Sequence, residues 1–423
     1  MIQWAISYKE RFPLNNWKGH GHYRVDTYFT GLGKVIKVVG EDEYNEDDTN
    51  VLIFHGVGNL PHLITTPDIN PLSNLSNDDI DWIKSHPSLV LVFLSANETK
   101  PILDVYRKPF EKFKTYIREV LDIDNRVILQ DCSYKLDTSG FQFIDSLEMI
   151  GGCSILQLNY PKSINRFDLS KLLSEVSSDG NFDKKVLNYT GRYRTSRALL
   201  HMIARDTFNN KDLLFSNVGI VRDFIEENET LTEAVSKFIH WDRRPSEEVI
   251  RRLIEYLNLG SDYNTAPVDL RSNFKNILLP NTEDYSRVFC DLVPETYGDR
   301  EFANFDHFGR ARFWTEKIAK PILCKRPFIV QANAGYLSML EDLGFRTFSK
   351  WWNEDYDKDI KLLDSLDIIK SNLEYINSLS YSEIKDMYLD MIPVLEHNKR
   401  VMIDLIYDKD RLHLVELQNK LNA

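Results

Sequence analysis

Short apolar, β-branched runs, each closed by a turn former or a polar residue, set the strongest limit on what this chain can become. "KVIKVVG" (34–40), "VLIFHG" (51–56), "LVLVFLSA" (89–96), "RVILQD" (126–131) and "CSILQLN" (153–159) recur through its first part. Runs of this length, rich in Val and Ile and without polar alternation, are strands buried on both faces. Between the third and fourth lies "PILDVYRKPFEKFKTYIREVLDI", whose apolar residues recur at helical spacing, with a kink or break expected at Pro109. Strand, helix, strand in this order predicts a parallel sheet joined by right-handed crossovers.

A polar stretch, "SEVSSDGNFDKK" (174–185), interrupts the pattern and reads as an interdomain linker. The alternation then resumes. "KVLNYTGRYRTSRALLHMIA" is a strand, a glycine turn and a helix; "LLFSNVG" (213–219) is a strand; "EEVIRRLIEYLNLG" is a helix closed by Gly260. "RVFCDLVPETY" and "PFIVQA" complete a second set of strands, and from about 357 onward the apolar spacing is helical. A chain of 423 residues exceeds what one hydrophobic core usually serves. The expected plan is therefore α/β, with a Rossmann-like domain over 1–175, a second over 185–356, and packing helices over 357–423.

Composition excludes several classes. Lys and Arg total 52 against 64 Asp and Glu, so the formal charge of -12 gives no general attraction to nucleic acid or an anionic membrane, and leaves room only for a local basic cleft. The densest apolar run, "LVLVFL" at 89–94, is far short of the roughly 18 residues that a membrane-spanning helix needs. The start "MIQWAISYKERF" lacks the pattern of a secretory signal. Cys132, Cys153, Cys290 and Cys324 form no Cys-x-x-Cys pair, which argues against a zinc ribbon or disulfide framework and points to a reducing cytoplasm.

In an open parallel sheet, ligands bind beyond the carboxyl ends of the strands, where loops lead into helix N-termini. "NYTGRYRTSR" sets Arg192, Arg194 and Arg197 at such a place, where guanidinium forks suit a phosphate; their plainer role is to solvate the surface. In "RFWTEKIAKPILCKRPFIV" (312–330), Thr315 reads as a helix N-cap with Glu316 and Lys317 in the first turn. A lysine there opposes the helix dipole. A diphosphate held between Lys317 and the arginines, with Glu316 accepting hydrogen bonds from a ribose, would remove that conflict; an exposed first-turn lysine of small cost is the alternative.

The longer run "RFWTEKIAKPILCKRPFIVQANAGYLSMLEDLGFRTFSKWWNEDYD" (312–357) resembles the donor-domain signature of fucosyltransferase-like and phage-type glycosyltransferases of the GT-B type. The resemblance spans about 185–357 and is most specific at the Thr-Glu-Lys triplet, the "GF-x-TF" segment and the acidic "E-x-YD". It implies two Rossmann-like domains facing across a cleft, with C-terminal packing helices. It also implies inverting transfer of a sugar from a nucleotide-diphosphate sugar, the co-substrate, to an acceptor hydroxyl. Donor binding then falls on Thr315, Glu316, Lys317 and the arginines Arg192, Arg194 and Arg197. A sugar contact falls on Glu295, which lies further upstream of the triplet than the corresponding acid of such relatives.

Inverting transfer needs a base for the incoming hydroxyl. The first domain offers Glu98, His55 and Asp131, each following a strand, with Glu98 favoured and the choice left open. If Lys317 and the arginines neutralise the leaving diphosphate, no metal is required. The acidic pairs in "DDID" (78–81) and "DYD" (355–357) read as helix starts, and "TGLGKV" lacks the spacing and the Ser or Thr of a phosphate-binding P-loop. No other cofactor is implied. Two acceptors compete, a 5-hydroxymethylated base in DNA and a cell-surface or lipid-linked glycan. A non-catalytic nucleotide or glycan binder on the same frame is the rival function, and oligomeric state is open.

Overall fold

The computed structural model describes residues 2–6, 34–37, 49–55, 81, 84–85, 90–94, 127–130, 148–150, 164–190, 195–217, 247–249, 251–252, 279–295, 298 and 314–407. The chain divides into two compact units, one of residues 1–159 with 408–423, the other of residues 160–407. It thus passes from the first unit to the second and returns.

The first unit holds β1 (Ile2–Ile6), β2 (Lys34–Lys37), β3 (Thr49–His55), β4 (Val90–Leu94), β5 (Val127–Gln130) and β6 (Glu148–Ile150). They form one sheet in the order β2-β1-β3-β4-β5-β6, with each neighbouring pair parallel. Four of its strands fall on the apolar runs read from the sequence. β1 does not: "IQWAI" is short and carries Gln3, yet it lies between β2 and β3. The last strand is Glu148–Ile150, while 153–159, read as a strand from sequence, lies outside the described residues, as does the helix expected between β4 and β5.

The second unit begins with α1 (Arg166–Ser174) and continues through β7 (Lys184–Thr190), α2 (Thr195–Thr207), β8 (Leu213–Asn217), α3 (Thr282–Arg287) and β9 (Val288–Pro294). There follow α4 (Glu316–Leu323), β10 (Phe328–Gln331), α5 (Tyr336–Asp342), a 3-10 turn at Asp355–Asp357, α6 (Leu362–Ser378) and α7 (Tyr381–Tyr407). The sheet order is β10-β9-β7-β8, again parallel throughout. β9 is buried along its whole length, as a strand covered on both faces must be. In both sheets the second strand flanks the first on one side and the third flanks it on the other. The strand order therefore reverses between β1 and β3, and between β7 and β9, and such switch points are where open α/β sheets bind ligands.

The stretch 174–185 is an internal turn of the second unit, not a linker. Its polarity is consumed locally: the Asp179 carboxylate accepts from Ser177 Oγ (2.8 Å), Asn181 N (3.0 Å) and Asn181 Nδ2 (2.8 Å). Gly180 turns the chain at φ 77°, where an added Cβ would come within 3.1 Å of the Lys385 side chain of α7. α1, placed by the sequence boundary at 175 in the first domain, belongs to the second unit. It is tied to the end of α7 by an Arg166–Asp404 pair (2.6 Å) and by the Tyr407 hydroxyl donating to the Ile164 carbonyl (2.9 Å).

The C-terminal helices are part of the second unit up to Tyr407. α6 buries Leu362, Leu366, Ile369, Leu373 and Ile376, a three-and-four spacing that makes one apolar stripe, and it packs on α2, while α7 packs on α4. The amino end of the sheet is closed by this pair. Lys185 Nζ, at the start of β7, donates to the carbonyls of Asn377 (2.6 Å) and Leu379 (2.8 Å), placing a cation at the negative end of α6.

Arg326, between α4 and β10, is fully buried and meets no carboxylate in its hydrogen bonds. Its guanidinium donates to the carbonyls of Tyr285 (2.7 Å), Cys324 (3.1 Å), Lys325 (3.2 Å) and Ser177 (2.5 Å) and to the Tyr388 hydroxyl (3.1 Å). The rings of Phe182 and Tyr388 lie 5.1 and 5.5 Å from it. The segment after α1, α3, the C-terminus of α4 and α7 are thereby joined at one point. A lysine carries the same charge but cannot present a planar fork to separate carbonyls. Arg326→Lys is expected to lower the stability of the folded chain by about 3 kcal/mol or more, read from urea unfolding, because buried carbonyls lose their donors.

Candidate functional site

The carboxyl end of β9, at the switch point of the second sheet, carries the densest polar cluster nominated by the sequence. Glu295 follows the buried strand directly, is itself 1% exposed, and extends the ladder by donating its N–H to the Gln331 carbonyl of β10 (3.0 Å). Its own main-chain carbonyl accepts from Arg197 Nε (3.2 Å) and Nη2 (3.1 Å). Arg197 sits in the first turn of α2, so the guanidinium bridges the helix after β7 to the end of β9.

The Glu295 carboxylate accepts from Thr315 N (3.3 Å), from Thr315 Oγ1 (2.9 Å) and from the Tyr336 hydroxyl (2.9 Å). Thr315 is the N-cap of α4, as its sequence position implies, and its hydroxyl oxygen accepts from Lys317 N (3.2 Å) and Lys317 Nζ (3.1 Å). Lys317 Nζ lies 3.9 Å from Glu295 and 3.5 Å from Glu316. Burial pushes the Glu295 carboxyl above its ordinary range, with the Lys317 ammonium pulling the other way. Burial also works against ionised Glu316, but the ammonium groups of Lys317 and Lys320 prevail and hold it below the ordinary range.

This geometry revises the electrostatic reading of the triplet. The positive charge of Lys317 at a helix N-terminus is balanced within the chain by two carboxylates, so an external anion is not needed to explain its position. Glu295, expected to touch a sugar, is buried beneath Thr315, Lys317 and Tyr336, and what its contacts do is hold those groups in place. Lys317 and Glu316 are the members with a route to solvent, their side chains being 21% and 16% exposed. Tyr336 was not nominated by the sequence; the available signal was an aromatic residue directly after Gly335, in a strand-loop-helix sequence whose first helical side chain turns back toward β9.

Of the other nominated residues, His55 is the last residue of β3, at the carboxyl end of a strand bordering the switch point of the first sheet. Glu98, Asp131, Arg192 and Arg194 lie outside the described residues.

The "GF-x-TF" and "E-x-YD" segments form a second feature. Asn398 of α7 accepts from Arg346 N (2.8 Å) and donates to the Arg346 carbonyl (2.8 Å). Asn372 of α6 does the same for Asn353, at 3.2 and 2.7 Å. Phe348 stacks edge-on against Phe328 of β10, with ring centroids 5.1 Å apart, and the Trp352 ring lies 5.3 Å away. So pinned, the segment brings Asp357 to the start of α5, where the carboxylate accepts from Tyr336 N (2.8 Å) and Leu337 N (3.0 Å). Asp357 was read as an acidic start for the helices that follow; it instead caps the helix before it.

An open cavity of about 530 Å³ lies on this side of α5, lined by Gly335, Ser338, Glu341, Thr347, Glu354 and Asp357 among others. Burial first, and then the neighbouring carboxylates Glu341 and Asp357, push Glu354 up to about 7, against a hydrogen bond from Phe348 N (2.7 Å). Among the described residues no group of three or more His, Cys, Asp or Glu side chains is arranged to hold a metal ion, and no helix is long and apolar enough to cross a membrane.

No protein-family model matches the chain, and a search of curated proteins finds no match.

Asp357→Ala removes the acceptor of two N-terminal amides of α5. The expected loss is about 1 kcal/mol, the usual value of an N-cap side chain. Hydrogen exchange at Tyr336 and Leu337 checks it, because those amides should lose protection while the amides of β9 keep theirs.

Proposed function

We propose that the chain is a nucleotide-sugar-dependent glycosyltransferase of the GT-B type, with the second unit as its donor half. The observation that carries this reading is the convergence at the β7/β9 switch point of Arg197, Glu295, Thr315, Glu316 and Lys317, residues drawn from separate parts of the sequence. Parallel α/β units with matching strand order support it as well.

On this reading Lys317 meets the diphosphate as the solvent-reaching cation of the cluster, and Glu316 meets the ribose hydroxyls. Glu295 and Tyr336 orient the ammonium and keep the N-cap hydroxyl aimed. When a diphosphate arrives, Lys317 exchanges part of its attraction to Glu295 and Glu316 for the phosphoryl oxygens. Transfer is metal-independent, with positive side chains stabilising the leaving diphosphate. The acceptor hydroxyl loses its proton to a base of the first unit, Glu98, His55 or Asp131. The acceptor is a 5-hydroxymethylated DNA base or a glycan, and the compartment is the cytoplasm. The rival reading is a nucleotide or glycan binder without turnover.

Uridine, guanosine, cytidine, adenosine and thymidine diphosphates, offered singly to the full chain in a thermal-unfolding screen, test the donor half. One of them at a hundredfold excess over its Kd should stabilise the protein by about 2.7 kcal/mol. Lys317→Ala should weaken that binding by roughly tenfold or more, equivalent to about 1.4 kcal/mol. Unchanged affinity in that variant, or no stabilisation by any of the five, defeats the assignment. Release of free nucleoside diphosphate from the matching nucleotide sugars separates the enzyme from the binder.

A further inference from the structure

A second buried carboxyl lies within β9, four residues before Glu295 and beside α3 and α4. Asp291 is 3% exposed in the middle of the strand, flanked by Cys290 and Leu292, both fully buried. Its carboxyl accepts one hydrogen bond, from the Tyr285 hydroxyl of α3 at 2.5 Å, and no ion pair reaches it among the described residues. The charged and titratable groups around it are few. Lys320 of α4 is the cation that acts on it, and that ammonium is itself disfavoured by burial and shared with Glu316. Cys324 at the C-cap of α4, Tyr189 of β7, Tyr285 and the adjacent Cys290 are the others, and burial pushes the pKa of each upward, away from neutrality.

A carboxylate in such a place has lost its water and gained one hydroxyl. Ionised carboxyls are tolerated in an apolar interior only when paired or bonded several times over. We propose that Asp291 is held protonated by the β9–α4 interface, and that its ionisation makes the second unit a pH-sensitive element, destabilised as the proton is lost to solvent. The inference is independent of the donor assignment.

Burial, opposed by the Tyr285 hydroxyl and the Lys320 ammonium, raises Asp291 from its ordinary 3.8 to about 7. The native state therefore binds a proton that the unfolded chain has released between those two values. Its contribution is fully present below about 4 and is lost as pH climbs to about 7, with one proton of slope between them. The strand's other end responds in the same sense, since Glu295 is also raised, as are Asp284 and Glu354. A single-site comparison is accordingly required.

Urea unfolding of the full chain and of Asp291→Asn, from pH 4 to pH 8.5, isolates the group. The unfolding constant of the unmodified protein, divided by that of the variant, should rise roughly tenfold per pH unit within the window and then level. Tyr285→Phe removes the hydroxyl that favours the ionised form, so its decline should extend to higher pH. Infrared spectra over the same pH range supply a second reading, in which Tyr285→Phe separates the Asp291 band from that of Glu354, a carboxyl raised to the same value but without a Tyr285 contact. A protonated-carboxyl band should titrate near neutrality in the unmodified protein, with its midpoint moved upward in Tyr285→Phe. Parallel pH profiles for the unmodified protein and Asp291→Asn would overturn the proposal, as would a pH 6 spectrum without a protonated-carboxyl band.

Discussion

A buried guanidinium sets the frame on which the second unit rests. Arg326 makes no hydrogen bond to a carboxylate, though Asp179 attracts it through space, and its donors go instead to four carbonyls and a tyrosine hydroxyl drawn from the segment after α1, α3, the end of α4, and α7. Carbonyls at the end of α4 are the negative pole of that helix, so the cation lies where the backbone already favours one. Because its donors are fixed in one plane, the acceptors must be fixed too. This is why a polar stretch that resembles a linker is instead ordered: the Ser177 carbonyl is one of the acceptors.

Arg326, Lys185 and the α6–α7 pair close the amino end of the sheet, and the polar groups of the carboxyl end form a separate cluster. Glu295 plays there the part that Arg326 plays below, a buried residue whose main-chain bonds reach α2 and β10 and whose carboxyl group joins α4 and α5. The difference is that one of its neighbours, Lys317, reaches water. A site able to take up an anion without collapsing in its absence needs such internal counter-charges. They keep the lysine placed, and they lower the affinity of any anion that must compete with them.

Much of this was legible from the residues alone. The apolar runs marked strands because a strand covered on both faces cannot alternate, and Thr315 marked a helix start because its hydroxyl can replace a missing acceptor. β1 escaped because five residues containing a glutamine carry too little signal, and its place depends on neighbours on either side. Tyr336 and Asp357 escaped for a different reason. Each makes its bond to a partner far along the chain, and no local pattern records that Asp357 serves a helix that precedes it.

The sequence by itself determined the α/β class, the parallel pairing, the helix start at Thr315 and the grouping of acidic and basic residues around it, since propensity, periodicity and capping act over a few residues. Only the tertiary structure decided the charge state of that group. It brought Glu295 across from β9 beside Lys317, buried Asp291 without an ion pair among the described residues, and turned the linker-like stretch into an acceptor for Arg326. Desolvation is the physical reason: the energy of a charge depends on what surrounds it in space, and those surroundings come from residues that the linear order keeps apart.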